Sequence, residues 1–260
     1  AAASRLNARD RKQDMTKTAG RSALQIIQGG AAPFRLADAA LAEAFRFSAI
    51  VFYLKGEAMR ILLTGGMGFI GSHTAVALLA HGHDVTLYDN LSNADESVAS
   101  RIEKIAGCPP RFVKGDIRDE ALLEKTFRET GTQAVIHFAG LKAVGESVVK
   151  PLEYYDNNLI GTIKLLEAMR AADVSRLIFS SSSTVYGTPT TLPLTEACPT
   201  GRATNPYGRT KLQIEEILAD VCHAWPELAV VCLRYFNPIG AHPSGLIGED
   251  PNGIPNNLLP

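Results

Sequence analysis

Eight residues, Thr64-Gly65-Gly66-Met67-Gly68-Phe69-Ile70-Gly71, constrain this chain most. They stand between a short apolar run, Arg60 to Thr64, and a segment with helical spacing of apolar residues, Phe69 to His81. Glycines at 65, 68 and 71 let a chain turn tightly off a strand. They also bring the amides of a helix N-terminus up to an anion and let the helix pack close to the strand. A second strand, Asp84 to Tyr88, follows, and Asp89 closes it 18 residues after Gly71. The order strand, glycine loop, helix, strand, acidic residue predicts a dinucleotide-binding βαβ unit.

The alternation continues with strand Arg111 to Lys114, helix Glu120 to Glu129, strand Ala134 to Phe138 and helix Tyr154 to Ala172. Strand Arg176 to Ser180, helix Pro206 to Ala224 and strand Ala229 to Tyr235 complete it. Strands that are apolar almost throughout, separated by helices, predict a parallel sheet covered on both faces. Asp116 and Phe138-Ala139-Gly140 then sit at carboxyl ends of strands, where open α/β sheets bind ligands. Asp89 at its position accepts hydrogen bonds from both ribose hydroxyls and repels a 2′-phosphate, which favours NAD over NADP.

Residues 1–58 differ from the rest. They hold nine Lys/Arg against five Asp/Glu, whereas the remainder holds 17 against 22. Leu36 to Ala44 favours a helix by propensity, but the leader has no periodic core of its own. It admits three readings: an Arg-rich transit segment, a folded appendage, or translated sequence upstream of the true start at Met59. The third is favoured, because codons for Lys55-Gly56-Glu57 can spell the purine-rich run that bacterial ribosomes bind.

The net charge of −1 lacks the basic field that nucleic-acid binding needs. The longest apolar candidate, Phe47 to Leu54, falls short of the roughly 18 to 20 residues of a membrane span. Cys108, Cys198, Cys222 and Cys232 form no CxxC pair and have no histidine at metal-ligand spacing. They read as reduced thiols of a cytoplasmic protein, Cys222 and Cys232 in its core. His81 and His83 read as carbonyl caps, and Trp225 as packing at a helix end.

The chemistry gathers later in the chain. Tyr207 and Lys211, four residues apart after Pro206, share one helix face. A tyrosine is only about 0.1% ionised at pH 7, a deficit of roughly 4 kcal/mol, and a neighbouring ammonium lowers that cost. The serine cluster Ser180 to Ser183, ending a strand, supplies hydroxyls at the same edge.

With these residues in place, the chain from Met59 resembles the extended short-chain dehydrogenase/reductase family, and within it the nucleotide-sugar 4-epimerases. The matching segments are GGMGFIGSHT (65–74), GHDVTLYDNLSN (82–93), VIHFAGLKAVGESVVKPLEYYDNN (135–158), IFSSSSTVYG (178–187), NPYGRTK (205–211), LRYFNPIGAHPSG (233–245) and GIPNNLLP (253–260). The resemblance implies a Rossmann-type doubly wound sheet over 59–235 and only the beginning of a smaller substrate domain over 236–260, as in a C-terminally truncated member. It implies NAD-dependent interconversion of UDP-glucose and UDP-galactose by transient oxidation at sugar C4, in a protein that is a homodimer at full length.

Residue by residue, Tyr207 is similar to the family's general base. Lys211 is similar to the residue that lowers its pKa and holds the nicotinamide ribose, and Ser182 to the hydroxyl near the sugar O4. Cofactor contacts are implied for Gly65, Gly68, Phe69, Ile70, Gly71, Asp89, Asn90, Leu91, Ser92, Asn93 and Ala94. The same holds for Asp116, Ile117, Phe138, Ala139, Gly140, Leu141, Lys142, Asn157 and Phe236. Asn237 and Asn257 are implied to face the nucleotide-sugar. Dehydratase relatives carry Asp and Glu directly before Val-Tyr-Gly, where this chain has Ser183 and Thr184, which disfavours dehydration. Another nucleotide-sugar enzyme of the family and a non-catalytic NAD-binding protein remain as alternatives.

Overall fold

The computed structural model describes residues 58–251 and the strand at 24–28. Its strands are β1 (Leu24–Gln28), β2 (Arg60–Thr64), β3 (Asp84–Asp89), β4 (Arg111–Lys114), β5 (Ala134–His137), β6 (Arg176–Ser182) and β7 (Ala229–Tyr235). The helices are α1 (Phe69–Ala80), α2 (Ser97–Ala106), α3 (Glu120–Thr130), α4 (Val144–Val149), α5 (Pro151–Tyr154), α6 (Gly161–Ala171) and α7 (Pro206–Ala224). A π-helical segment, Tyr155–Ile160, joins α5 to α6, and a 3-10 turn, Ser183–Tyr186, follows β6.

All pairings are parallel, in the order β1-β7-β6-β5-β2-β3-β4. Strand alternation sorts the core into two layers. Leu62, Val135, Leu177, Phe179, Val230 and Cys232 face one side, against Leu123 and Phe127 of α3, Leu165 and Met169 of α6, and Ile214 and Leu218 of α7. Ile61, Leu63, Ile136, Ile178 and Val231 face the other, against Ala75 and Leu78 of α1 and Ile102 of α2. Burial on both faces explains why the strands read as apolar runs rather than alternating ones. Losing one such Leu or Ile to Ala costs about 2 to 5 kcal/mol.

The order in which strands are added therefore reverses between β2 and β5, the neighbours from which the chain winds outward on either side. That reversal is the switch point where doubly wound sheets open a crevice. The glycine loop after β2 and the Phe138–Lys142 segment after β5 stand on its two sides.

Local signals set the elements. Asn205 caps α7 by accepting from the Gly208 amide, with Pro206 at the first turn. Asp119 caps α3 by accepting from Leu122 N, and Gly131 ends that helix in the left-handed region. Trp225 caps α7 at its far end and packs against the core, while His81 contacts the Ala77 carbonyl. His83 is buried and its Nδ1 accepts from the Met59 amide.

The structure adds elements that the sequence reading lacks, among them α2, α4 and β1. Helix α2 carries a single buried residue, Ile102, too weak a stripe to register. Helix α4 is only six residues long. Strand β1 lies within the 1–58 leader and pairs with β7, Leu24 opposite Val230 through Gln28 opposite Arg234. The expected helix over Leu36 to Ala44 and the rest of the leader lie outside the described residues.

Candidate active site

Each glycine of the loop has its own reason to be glycine. Gly65 adopts a left-handed φ of +67°, and a Cβ there would stand 2.6 Å from the Ala139 nitrogen, so the β2 and β5 loops touch at this point. At Gly71 a Cβ would collide with the Gly65 carbonyl oxygen, which makes it the point where α1 packs on the loop. Gly68 differs. A Cβ there would meet only Gly65 O, at 3.4 Å, so one face of Gly68 is open.

Gly68 is also the N-cap of α1, with no side-chain cap and no acidic residue in the first turn. An open glycine at an uncapped helix N-terminus is a cradle for an anionic group. The fit to a pyrophosphate therefore rests on the chain's own geometry. Phe69 and Ile70 begin α1 beside it, partly exposed.

Asp89 is partly buried and braces this loop: Oδ2 accepts from Met67 N at 3.1 Å and Oδ1 from Leu91 N at 2.9 Å. Burial pushes its carboxyl up, and the two amides work against that shift. Leu91 takes a left-handed φ of 61°, and Asn90 holds Ser92 N at 3.0 Å. Ser92 and Asn93 are exposed, and Ala94 packs against the α1–α2 core layer. Asp116 accepts from Asn90 Nδ2 and from the Arg118 guanidinium, which holds its carboxyl far below the usual carboxylate range. Ile117 is buried, its side chain against Gly161 of α6, so only its backbone is available to a ligand.

Across the crevice, Phe138 is partly buried against the α1–α2 layer and Ala139 against the opposite one, while Gly140 is exposed. Leu141 is held on both sides by Asn158, which accepts from its amide at 2.8 Å and donates to its carbonyl at 3.0 Å. Asn158 also donates to Thr210, next to Lys211. Sequence reasoning named Asn157, which is partly exposed and donates to Asn158. Its buried neighbour holds the loop, and a π turn, invisible in residue spacing, places both on this edge. Lys142 is exposed and pairs with Glu249 at 2.8 Å. Phe236 is partly exposed and Asn237 exposed just beyond β7, while Asn257 lies outside the described residues.

Ser182, Tyr207 and Lys211 meet at the end of β6. Ser182 is buried, and its Oγ accepts from the Thr184 amide at 3.2 Å and hydroxyl at 3.0 Å, which starts the 3-10 turn. Tyr207, partly exposed at the start of α7, has the Ser182 hydroxyl beside its phenol. Lys211 is buried, donates to the Ser180 carbonyl at 2.7 Å, and stands 4.8 Å from the Phe179 ring centre and 6.0 Å from that of Tyr207.

Burial raises the Tyr207 phenol above its ordinary value, and the neighbouring Ser182 hydroxyl opposes this. Lys211 itself is pushed down to about 8 by burial, with Glu215 opposing.

Sequence reasoning missed Glu215 and Arg234 behind this trio. Glu215 accepts from Ser181 and from Arg234, and Arg234 donates to Tyr186 at 2.8 Å, all buried. A charged residue inside the run Ala229–Tyr235 and another one turn beyond Lys211 were the available signals. The cysteines are all free, with Cys222 and Cys232 in the core.

The chain matches the family model described as NAD dependent epimerase/dehydratase over residues 61–260. It is 57% identical over 202 residues to the UDP-glucose 4-epimerase of Pasteurella multocida, covering 78% of this chain and 60% of that protein. To the one from Yersinia pestis it is 58% identical, with the same coverage. Among solved structures it is similar to UDP-glucose 4-epimerase from Bifidobacterium longum in complex with NAD+ and UDP. That match has a TM-score of 0.75 at 57% identity, covering 76% of this chain and 59% of that one. The chain thus spans about three fifths of the length of these relatives. On its glycine loop, its sheet and these matches together, the chain belongs to the NAD-dependent epimerase/dehydratase family.

Proposed function

We propose that the protein, at its natural length, interconverts UDP-glucose and UDP-galactose by transient oxidation at sugar C4. The observation that carries this reading is the meeting of Ser182, Tyr207 and Lys211 beside the switch-point crevice. Lys211 borders Gly140, whose neighbour Ala139 touches Gly65. Relatives of the same name at 57% and 58% identity support it.

The α1 N-terminus at Gly68 would hold a pyrophosphate, Asp89 a ribose, and Lys211 with the Gly140 segment the nicotinamide end. NAD bound there would supply a reversible hydride acceptor for sugar C4. Tyr207 takes the 4-hydroxyl proton and gives it back, a role worth about 10²- to 10⁴-fold. Ser182, beside the Tyr207 phenol, positions that hydroxyl. Asp89 makes NAD the preferred form, since a 2′-phosphate would face its carboxylate. Residues 59–235 form the NAD-binding part and 236–260 open the region that faces the nucleotide-sugar.

The reading includes a cytoplasmic homodimer. Val148, Val149 and Leu152 offer an exposed apolar face on α4 and α5, and among the described residues no helix is long and apolar enough to cross a membrane. Supplying UDP-galactose and NAD+ and watching for UDP-glucose tests the activity. No conversion by a folded, NAD-loaded protein would defeat it.

A further inference from the structure

Four elements converge on one carboxylate. Glu215 lies on α7, one turn beyond Lys211 and two beyond Tyr207. Its Oε1 accepts from Ser181 of β6 and from Arg234 Nε of β7 at 2.9 Å, and its Oε2 accepts from Arg234 Nη2. Arg234 is in register with Ser181 on the neighbouring strand. Its remaining nitrogen donates to Tyr186, and its guanidinium lies 4.9 Å from that ring's centre. Tyr186 ends the turn that Ser182 begins. All four side chains are buried.

This arrangement is costly unless it does something. A buried ion pair is worth little to stability against apolar residues of the same volume. Its placement is specific, however. It ties the helix bearing Tyr207 and Lys211 to the strand and turn bearing Ser182, and to nothing remote from them.

We propose that Glu215, clamped by Arg234 and Ser181, is a positioning residue that fixes Ser182 and Lys211 against Tyr207. The inference rests on the epimerase reading for its kinetic consequence and on the fold alone for its electrostatic one. Lys211 faces Tyr207 and Glu215 on its own helix, Cys232 on β7 and His137 on β5. His137 is held neutral by burial, with a pKa of about 3. Glu215 is then the one carboxylate among the described residues that favours the Lys211 ammonium.

Three variants test the clamp. E215L/R234M removes both charges together, so it avoids the buried unpaired ion that a single substitution leaves. It should fold and bind NAD as the parent does, yet lose about 100-fold in kcat with KM for UDP-galactose within about threefold, as expected for a small misplacement of reacting groups. R234K, which keeps the cation but not the fork, should fall between. Wild-type kcat in the folded double variant overturns the proposal, and so does a kcat loss that only follows loss of NAD or of thermal stability. The third variant, E215Q, is read by NMR titration of Lys211, which needs no substrate and stands even if the sugar assignment fails. Lys211 should titrate about one pH unit lower than in the parent, since its nearest carboxylate is gone while Arg234 remains. An unchanged titration overturns the proposal.

Discussion

Replacing Lys211 by Met should stabilise the fold while removing activity. Lys211 is 4% exposed, and its ammonium has one hydrogen bond, to the Ser180 carbonyl, and the Phe179 ring as neighbour. Burial lowers its pKa from 10.5 to about 8. At 1.36 kcal/mol per pH unit, keeping this group charged at pH 7 costs the folded chain about 3 kcal/mol. Methionine retains the unbranched apolar stem and forfeits a charge-assisted hydrogen bond worth about 1.5 to 3 kcal/mol. The net gain is about 1 kcal/mol, or about 2 to 4 °C in Tm for a domain of this size.

The pH dependence separates this cause from better packing. The folded pKa lies below the unfolded one, so the penalty is complete below pH 8 and is released as pH rises from about 8 to about 10.5. The advantage of K211M should therefore be greatest near pH 7 and should close across that window. Thermal melts without added cofactor, at pH 7, 8, 9 and 10, measure it. A variant that melts below wild type at pH 7, or an advantage that does not change with pH, would refute the reasoning.

Other substitutions probe the remaining parts. Tyr207→Phe should leave Tm nearly unchanged and lower epimerase turnover by about 10²-fold or more, since the acid–base hydroxyl alone is removed. Gly68→Ala should fold normally, because its Cβ meets only Gly65 O, yet weaken NAD binding by about tenfold by occupying the open face at the helix N-terminus. Gly71→Ala, whose Cβ collides with that same carbonyl, should lose stability first, by about 1 to 3 kcal/mol. Calorimetric titration with NAD+ beside thermal melts distinguishes the two glycines.

Much of this was legible before any coordinates. Helix α7 runs over the predicted span because Asn205 and Pro206 make an unambiguous start, and its four-residue spacing places Tyr207 and Lys211 together. The glycine loop carries its own geometry, since turn, anion cradle and helix contact each demand a missing Cβ at a fixed offset. What spacing cannot show is partnership across the sheet. Glu215 and Arg234 are 19 residues apart and meet only because β6 and β7 lie side by side under α7. Asn158 outranks Asn157 in holding Leu141 through a π turn, which shifts which side of a helix faces inward. The four-residue spacing sets Lys211 beside Tyr207, but it does not show that burial raises the phenol or that the ammonium also donates to the Ser180 carbonyl.

If the protein works as proposed, sugar C4 gives up its hydrogen and recovers the same one within a single site. UDP-galactose carrying deuterium at C4 tests it most directly, with the product analysed by mass spectrometry and NMR. The expected product is UDP-glucose that keeps the deuterium at C4 and takes up none from solvent. Loss of the label to water would contradict it, as would no conversion by the folded, NAD-loaded protein.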